Sequence, residues 1–387
     1  MSAGTRTIYA GYFVRCPLGG YAWQAVHYVR GLLEAGADVV FYEDTRHTWQ
    51  AYDPARRTLG DEYEAGVERL ADVFGRAGLG DRWIFHDSLR DRWHGLGREA
   101  ARALFADARI LVNAGGVHRF EESERRGKTN VYIDMDPAYT QLRAAGGDER
   151  LRELLSQHQL HFTFGENIGT SRSPLPTAGF DWRPTRQPVV SSMWDETPVP
   201  SSAPFTTIGT WNSQGRDVEF RGERYSWRKR DEWQAIMDLP ASTGLPFAIA
   251  MEVADADDRA TLEASGWEIR DPIPISADDR AYAAFLRDSR GEFTTAKDVN
   301  VRLRSGWFSD RSACYLAAGR PVVTQDTAFG DVLPTGEGLF AYRTREDAIR
   351  AVGEIACDPA RHGAAARRIA REYLDASVVL PALLAAT

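Results

Sequence analysis

The chain predicts an α/β protein of two tandem domains, each a largely parallel sheet packed between helices, and three features carry that prediction. Short apolar runs alternate with longer stretches whose apolar residues recur near i, i+3, i+4 and i+7, so strands and helices take turns. The alternation occurs twice, on either side of a proline- and serine-rich stretch without period, from about residue 172 to 204. A length of 387 residues with 43% apolar side chains is enough for two cores.

In order, RTIYAGYFV (6–14) reads as a strand, CPLGGYA as a glycine turn, and WQAVHYVRGLLEAGA as a helix closing at Gly36. ADVVFYED is a second strand, followed by a helix from about Asp61 to Ala77, the run WIFHD and the helix GREAARALFADA. ARILVNAGG, TNVYIDMDP and LHFTFGENIG are three more strands, each ending in a polar turn. Ligands of such sheets sit beyond the carboxyl ends of the strands, so the tips Asn113, Asp134, Asp136, Glu166 and Asn167 are expected on one edge. After the aperiodic stretch come the strands PFTTIGTW, PFAIAMEV and WEIRDP, alternating with the helices RDEWQAIMDLPAST, DDRATLEASG and SADDRAYAAFLRDS. GEFTTAKDVN reads as a turn region; a capped helix, the strands RPVVTQD and EGLFAY, and two helices, the second running from His362 to the end, close the chain. These boundaries give domains at 1–185 and 205–365, a linker at 186–204 and a final helix at 366–387.

Composition narrows the function classes. A net charge of −8 provides no general attraction to nucleic acid or to anionic membrane, so an anionic ligand needs a local cluster of donors. Cys16, Cys314 and Cys357 are far apart and lack metal-type spacing, which suits reduced thiols in a cytoplasmic protein. The N-terminus lacks the pattern of a signal peptide, and no apolar run reaches the roughly 18 residues of a membrane span, so a soluble protein is expected. Several of the 11 tryptophans stand beside glycine or charge, as in GTWNS, YSWRKRDEW and SGWFSD, where they either line a cleft or simply pack.

The stretch SGWFSDRSACYLAAGRPVV holds the strongest local signal. Ser309 and Asp310 are good N-caps for a helix ending at Gly319, and its free N–H groups, with Ser309, Arg311 and Ser312, suit a phosphate. Many helices begin with Ser-Asp and bind nothing, but Lys297, Arg302, Arg304 and Arg311 crowd the same region of an acidic protein. Downstream, Glu337 stands between glycines before a strand, either to accept sugar hydroxyls or as a solvated turn residue.

The order polar turn, Ser-Asp-Arg-Ser, apolar helix, LAAGRPVV, polar turn and E-G-L resembles the donor-binding part of the C-terminal domain of GT-B glycosyltransferases, including the CgeB-like group. PLGGYAWQAVHYVRGL is similar to the glycine loop and first helix of these enzymes. The resemblance implies two Rossmann-like domains facing each other across a cleft, and a C-terminal helix that crosses back to the first. It implies transfer of a sugar from a nucleotide-diphosphate donor to a small acceptor, with no metal or other cofactor. One departure stands out: many retaining members carry two glutamates across this helix, and the matching positions here are Gly306 and Cys314.

Under this reading the donor contacts are Gly19, Gly20, Trp211, Asn212, Lys297, Arg302, Ser309, Asp310, Arg311, Ser312 and Glu337, with Arg228 and Lys229 as further candidates or a solvated helix face. A base would come from Asp134, Asp136 or His118 at strand ends of the first domain, although Asp before Pro is equally a turn former. Glu166, Asn167 and His27 are acceptor-contact candidates, His27 being as well explained by helix packing. DMD does not read as a metal site, since one carboxylate pair lacks further oxygen ligands. A natural product or other small metabolite is the expected acceptor, nucleic acid is not an expected partner, and the reading leaves room for a homodimer. The alternatives are an epimerase or phosphorylase of the same fold, or a nucleotide-sugar-binding protein without turnover. A dinucleotide-dependent dehydrogenase is disfavoured, because no G-x-G-x-x-G follows the first strand.

Overall fold

The structure, a computed structural model, describes residues 4–212 and 217–387. The first domain begins with β1 (Arg6–Ala10), α1 (Gly19–Glu34), β2 (Asp38–Asp44), α2 (Glu64–Arg76), β3 (Trp83–Asp87) and β4 (Arg92–Gly95). It continues with α3 (Gly97–Asp107), β5 (Ile110–Ala114), β6 (Thr129–Asp134), α4 (Tyr139–Ala145), β7 (Leu160–Thr163) and β8 (Trp182–Pro184). The sheet order is β8-β7-β6-β5-β1-β2-β3-β4, and β4 alone is antiparallel to its neighbour. β1, β5 and β6 are buried on both faces, which is why they read as continuous apolar runs rather than alternating ones.

The second domain contains β9 (Phe205–Ile208), α5 (Arg230–Gln234), β10 (Phe247–Ala250), β11 (Trp267–Arg270), α6 (Asp279–Arg287), β12 (Gly291–Thr294), α7 (Asp310–Ala317), β13 (Val322–Gln325) and β14 (Leu339–Tyr342). Its strands are all parallel, in the order β11-β10-β9-β12-β13-β14. In both sheets the chain winds outward from the first strand and then returns to its other side. The switch points lie between β1 and β5 and between β9 and β12, and crevices open there at the carboxyl ends.

β12 falls in the stretch that reads as a turn region. Its four residues are too few to show a period, and all of them are buried. The expected terminal helix is divided. After α8 (Arg345–Cys357) and α9 (Pro359–Ile369) the chain makes a π-helical turn at Ala370–Leu374, and Asp375 accepts from Ser377 N–H to start α10 (Ala376–Ala385). Val189 of the linker runs beside this crossing, donating to Leu374 O at 2.8 Å and accepting from Ala376 N at 2.8 Å.

α10 returns to the first domain and packs on α1. Ala376, Leu380 and Leu383 join the core built on α1 and β1, and a Cβ on Gly31 would lie 2.5 Å from that of Ala376. Leu380→Ala is expected to cost about 2–4 kcal/mol through the cavity it leaves, read as a lower midpoint in urea denaturation.

Candidate active site

The carboxyl edges of the two sheets face one another, and α1 sets their separation. Gly19 lies against Tyr282 of α6, where an added Cβ would come within 2.6 Å of the tyrosine Cβ. Trp23 Nε1 donates to Asp279 O at 3.0 Å, and Gln24 Nε2 donates to Asp310 Oδ2 at 3.2 Å. Asp310, the first residue of α7, stands between two cavities. One, of about 710 Å³, is lined chiefly by the first domain, with Arg15, Gly115, Gly116, Arg119 and Asp136. The other, of about 430 Å³, is lined by Ile208, Trp211, Glu252, Ile273 and Tyr282 at the carboxyl ends of β9 to β11 and on α6. Burial raises the Asp310 carboxyl above the usual carboxylate range.

Cations gather at the second domain's switch point. Lys297, just after β12, bonds Asp136 Oδ1 at 3.1 Å across the cleft, and its ammonium lies 3.0 Å from the centroid of the Trp227 ring. Lys229, the N-cap of α5, sits 5.9 Å over Trp307, and no described carboxylate forms an ion pair with it. Burial, followed by repulsion from Arg311 and Lys297, lowers its pKa well below the usual lysine range. Such a lysine gains most from an anion, which restores its charged form.

Arg311 is turned inward. Nε bonds Glu292 at 2.6 Å, Nη1 bonds Ile208 O at 2.6 Å and Nη2 bonds Thr294 Oγ1 at 2.9 Å, so its charge is committed to a buried carboxylate. It locks the start of α7 onto β9 and β12. Ser309 and Ser312 are buried beside it, and Ser312 Oγ has no hydrogen-bond partner among the described residues.

The structure brings Gly20, Trp211, Asp310, Arg311 and Asp136 to the walls of the two cavities, with Lys297 against Asp136. Several other candidates are built into the frame instead. Asp134 is sealed beneath α4, accepting from Thr140 Oγ1 at 2.7 Å, Gln141 Nε2 at 2.8 Å and Thr163 Oγ1 at 2.9 Å, and burial pushes its pKa up to about 6. The ring of His118 is covered, with Nε2 2.7 Å from Gly11 O and Nδ1 3.6 Å from Asp44. Glu166 forms a two-pronged pair with Arg186, which reaches on to Tyr373 O and Val332 O. Asn167 is fully buried at the domain junction, donating to Ala328 O at 3.1 Å.

Trp211 also serves the core, with Nε1 on Asp258 at 3.0 Å, while Asn212 is exposed. Arg302 pins the hairpin formed by Val218–Phe220 and Glu223–Tyr225 through Glu223 and the Tyr225 ring. Glu337 precedes β14 and therefore lies at the amino edge, away from the cleft, paired with Arg361 at 2.6 Å and Arg368 at 3.0 Å.

The two positions without glutamate have physical explanations. Gly306 has φ of 79°, and a Cβ there would lie 2.9 Å from Asn167 N, so a side chain would part the junction. Cys314 is buried on the inner face of α7. Among the described residues no group of His, Cys, Asp or Glu could hold a metal ion, and no helix is long and apolar enough to cross a membrane.

Sequence reasoning missed Glu43. This buried carboxylate at the end of β2 accepts from the N–H groups of Phe13 and Val14 at 2.7 Å and of Arg15 at 3.2 Å, and from Arg15 Nε at 3.0 Å. The loop after β1 thus spends these backbone donors on the protein itself. Arg15 and Arg119 were also missed. Both follow strands of the first switch point, but which strands are neighbours is known only from the sheet order.

No protein-family model matches the chain, and no curated protein is significantly similar to it. Solved structures match over nearly its whole length. An alpha-glucosyltransferase in complex with UDP and a 13-mer DNA containing a HMU base aligns with TM-score 0.60 and 11% identity, covering 99% of each chain. A glycosyltransferase involved in avilamycin A biosynthesis aligns with TM-score 0.52 and 11% identity, covering 98% of this chain and 96% of that one. A glycosyltransferase from Rickettsia africae aligns with TM-score 0.51 and 10% identity, covering 99% and 97%. The class defined by this architecture is the GT-B fold, two Rossmann-like domains facing each other across a cleft.

His27 gives a pH test of the frame beneath the site. Its Nε2 accepts from Trp194 Nε1 at 3.2 Å, and burial lowers its pKa from 6.5 to about 3. A depressed histidine contributes stability that is complete above its unfolded pKa of 6.5 and is lost as pH falls toward 3. Between pH 7.5 and 5 this group should remove about 2 kcal/mol. Denaturation midpoints of His27→Gln, which keeps an acceptor but cannot titrate, should lack that part of the slope.

Proposed function

We propose that the protein transfers a sugar from a nucleotide-diphosphate sugar, held by the second domain, to a small hydroxyl-bearing acceptor held by the first. The observation that carries this reading is the meeting of Lys229, Lys297 and the N-terminus of α7 at the switch point of the second sheet, opposite a cavity that exposes Asp136. The apolar slot at the carboxyl ends of β9 to β11 suits a nucleoside, and the ammonium groups suit its diphosphate. The named structural neighbours agree with it: one is in complex with UDP, and all are glycosyltransferases.

In the reaction, the bond between the anomeric carbon and the phosphate oxygen breaks, and its electron pair leaves with the nucleoside diphosphate. Lys229 and Lys297 stabilise that developing charge. The acceptor oxygen forms the new bond to the anomeric carbon, and its proton passes to Asp136. The sugar and the configuration of the product are set by contacts with the bound donor. One neighbour's structure contains DNA, but a net charge of −8 and the carboxylates Asp136 and Asp310 in the cavity oppose a polyanion, which favours a natural product or similar metabolite.

Titration with UDP tests the donor side. Lys229→Ala and Lys297→Ala should each weaken binding by roughly 1.5–3 kcal/mol, and no UDP, GDP or dTDP binding by the unaltered protein would overturn the reading. The phosphate should also raise the depressed pKa of Lys229, so binding should take up protons and weaken as pH rises. Calorimetry in two buffers of different ionisation enthalpy should show that uptake for the unaltered protein and lose it for Lys229→Met.

A further inference from the structure

Two arginines line the first-domain cavity, although transfer to a neutral acceptor requires neither. Arg119, in the loop after β5, lines it without an ion pair or hydrogen bond among the described residues. Arg15, 1% exposed, lines the same cavity, and although it is braced by Glu43 and by Thr48 O at 2.6 Å, its Nη2 has no hydrogen-bond partner among the described residues. A buried guanidinium nitrogen without an acceptor is costly, and a ligand oxygen would satisfy it. The carboxylates of the same cavity have partners of their own. Asp136 is paired with Lys297 at 3.1 Å, and Asp310 accepts from Gln24 Nε2 at 3.2 Å.

The cavity therefore has two unlike ends. The arginine end belongs to the loops after β1 and β5, and the aspartate end faces the donor cations. A polyanion would meet Asp136 and Asp310, whereas a compact molecule with a single anionic group would meet only Arg119 and Arg15. Gly115 and Gly116, in the same loop as Arg119, add no side chain to the cavity wall.

We propose that the acceptor carries an oxyanion, a carboxylate or a phosphate, bound by Arg119 and Arg15, with its reacting hydroxyl at the opposite end beside Asp136. This rests on the proposed glycosyl transfer for the role of the cavity, but it predicts an anion preference that can be read without turnover.

The test uses the full chain saturated with UDP and three probes of similar shape: 4-hydroxybenzoate, 4-hydroxyphenyl phosphate and neutral 4-hydroxybenzamide. Calorimetry should give at least one of the acids a Kd about tenfold lower than that of the amide, and the favoured acid tells a carboxylate site from a phosphate site. Arg119→Gln should abolish the preference and leave UDP affinity unchanged, which also certifies its fold. Repeating the titration on Lys229→Ala removes a donor-site cation as the cause. Equal binding of acids and amide, or a preference that survives Arg119→Gln, overturns the inference. If UDP itself fails to bind, the glycosyl-transfer reading falls, and the same probes on the unliganded Lys229→Ala protein still decide the anion site.

Discussion

Everything in the cleft depends on how closely α1 approaches the second domain. Gly19 lets the first turn of that helix rest on Tyr282, and the hydrogen bonds of Trp23 to Asp279 and of Gln24 to Asp310 hold it there. At the other end of α1, α10 of the returning chain packs against Gly31. One helix is therefore gripped by α6 and α7 of the second domain at its start and by the returning chain farther along. This is what brings Asp310, from one domain, into the same wall as Arg15 and Asp136 from the other. A larger residue at position 19 would widen that wall before it disturbed either core.

Around this contact, charge is sorted by burial. Glu43 and Asp134 lie at carboxyl ends of strands, where sheets of this kind bind ligands, yet each is covered and held by several protein donors, and Glu292, inside β12, is covered as well and paired with Arg311. They hold loops and helix starts in place, and removing a single partner would leave a buried charge uncompensated. Lys229, Lys297 and Arg119 line or border open space instead. The cost of desolvating them is offset only in part within the protein, so they retain affinity for an incoming anion. The division between frame and site thus follows from how fully each charge is already satisfied within the protein.

Much of the fold was legible. The β1–α1 glycine turn, the strand tips and the helix start at Ser309–Asp310 follow from apolar period and residue type, which are local properties, although the Ser309 side chain makes no capping bond. β12 was not, because four residues buried on both faces carry no period. The site was legible in part. Asp136, Asp310 and Lys297 were visible as polar residues after apolar runs, but Asp134 shows the same signal and is sealed by Thr140, Gln141 and Thr163, while Glu337 precedes its strand and so faces away from the cleft.

By itself the sequence determined that there are two α/β domains, where the chain passes between them, and which loops follow strands, because period, caps and breakers act over a few residues. The tertiary structure decided which polar residues are free to meet a ligand. That depends on the order of strands in each sheet, which brings the loops of Arg15 and Arg119 to one cavity, and on partners far away in the chain, which occupy Arg311 and His118 and leave Lys229 without an ion pair among the described residues. Whether a charge is part of the frame or part of the site is settled by neighbours brought together only in folding.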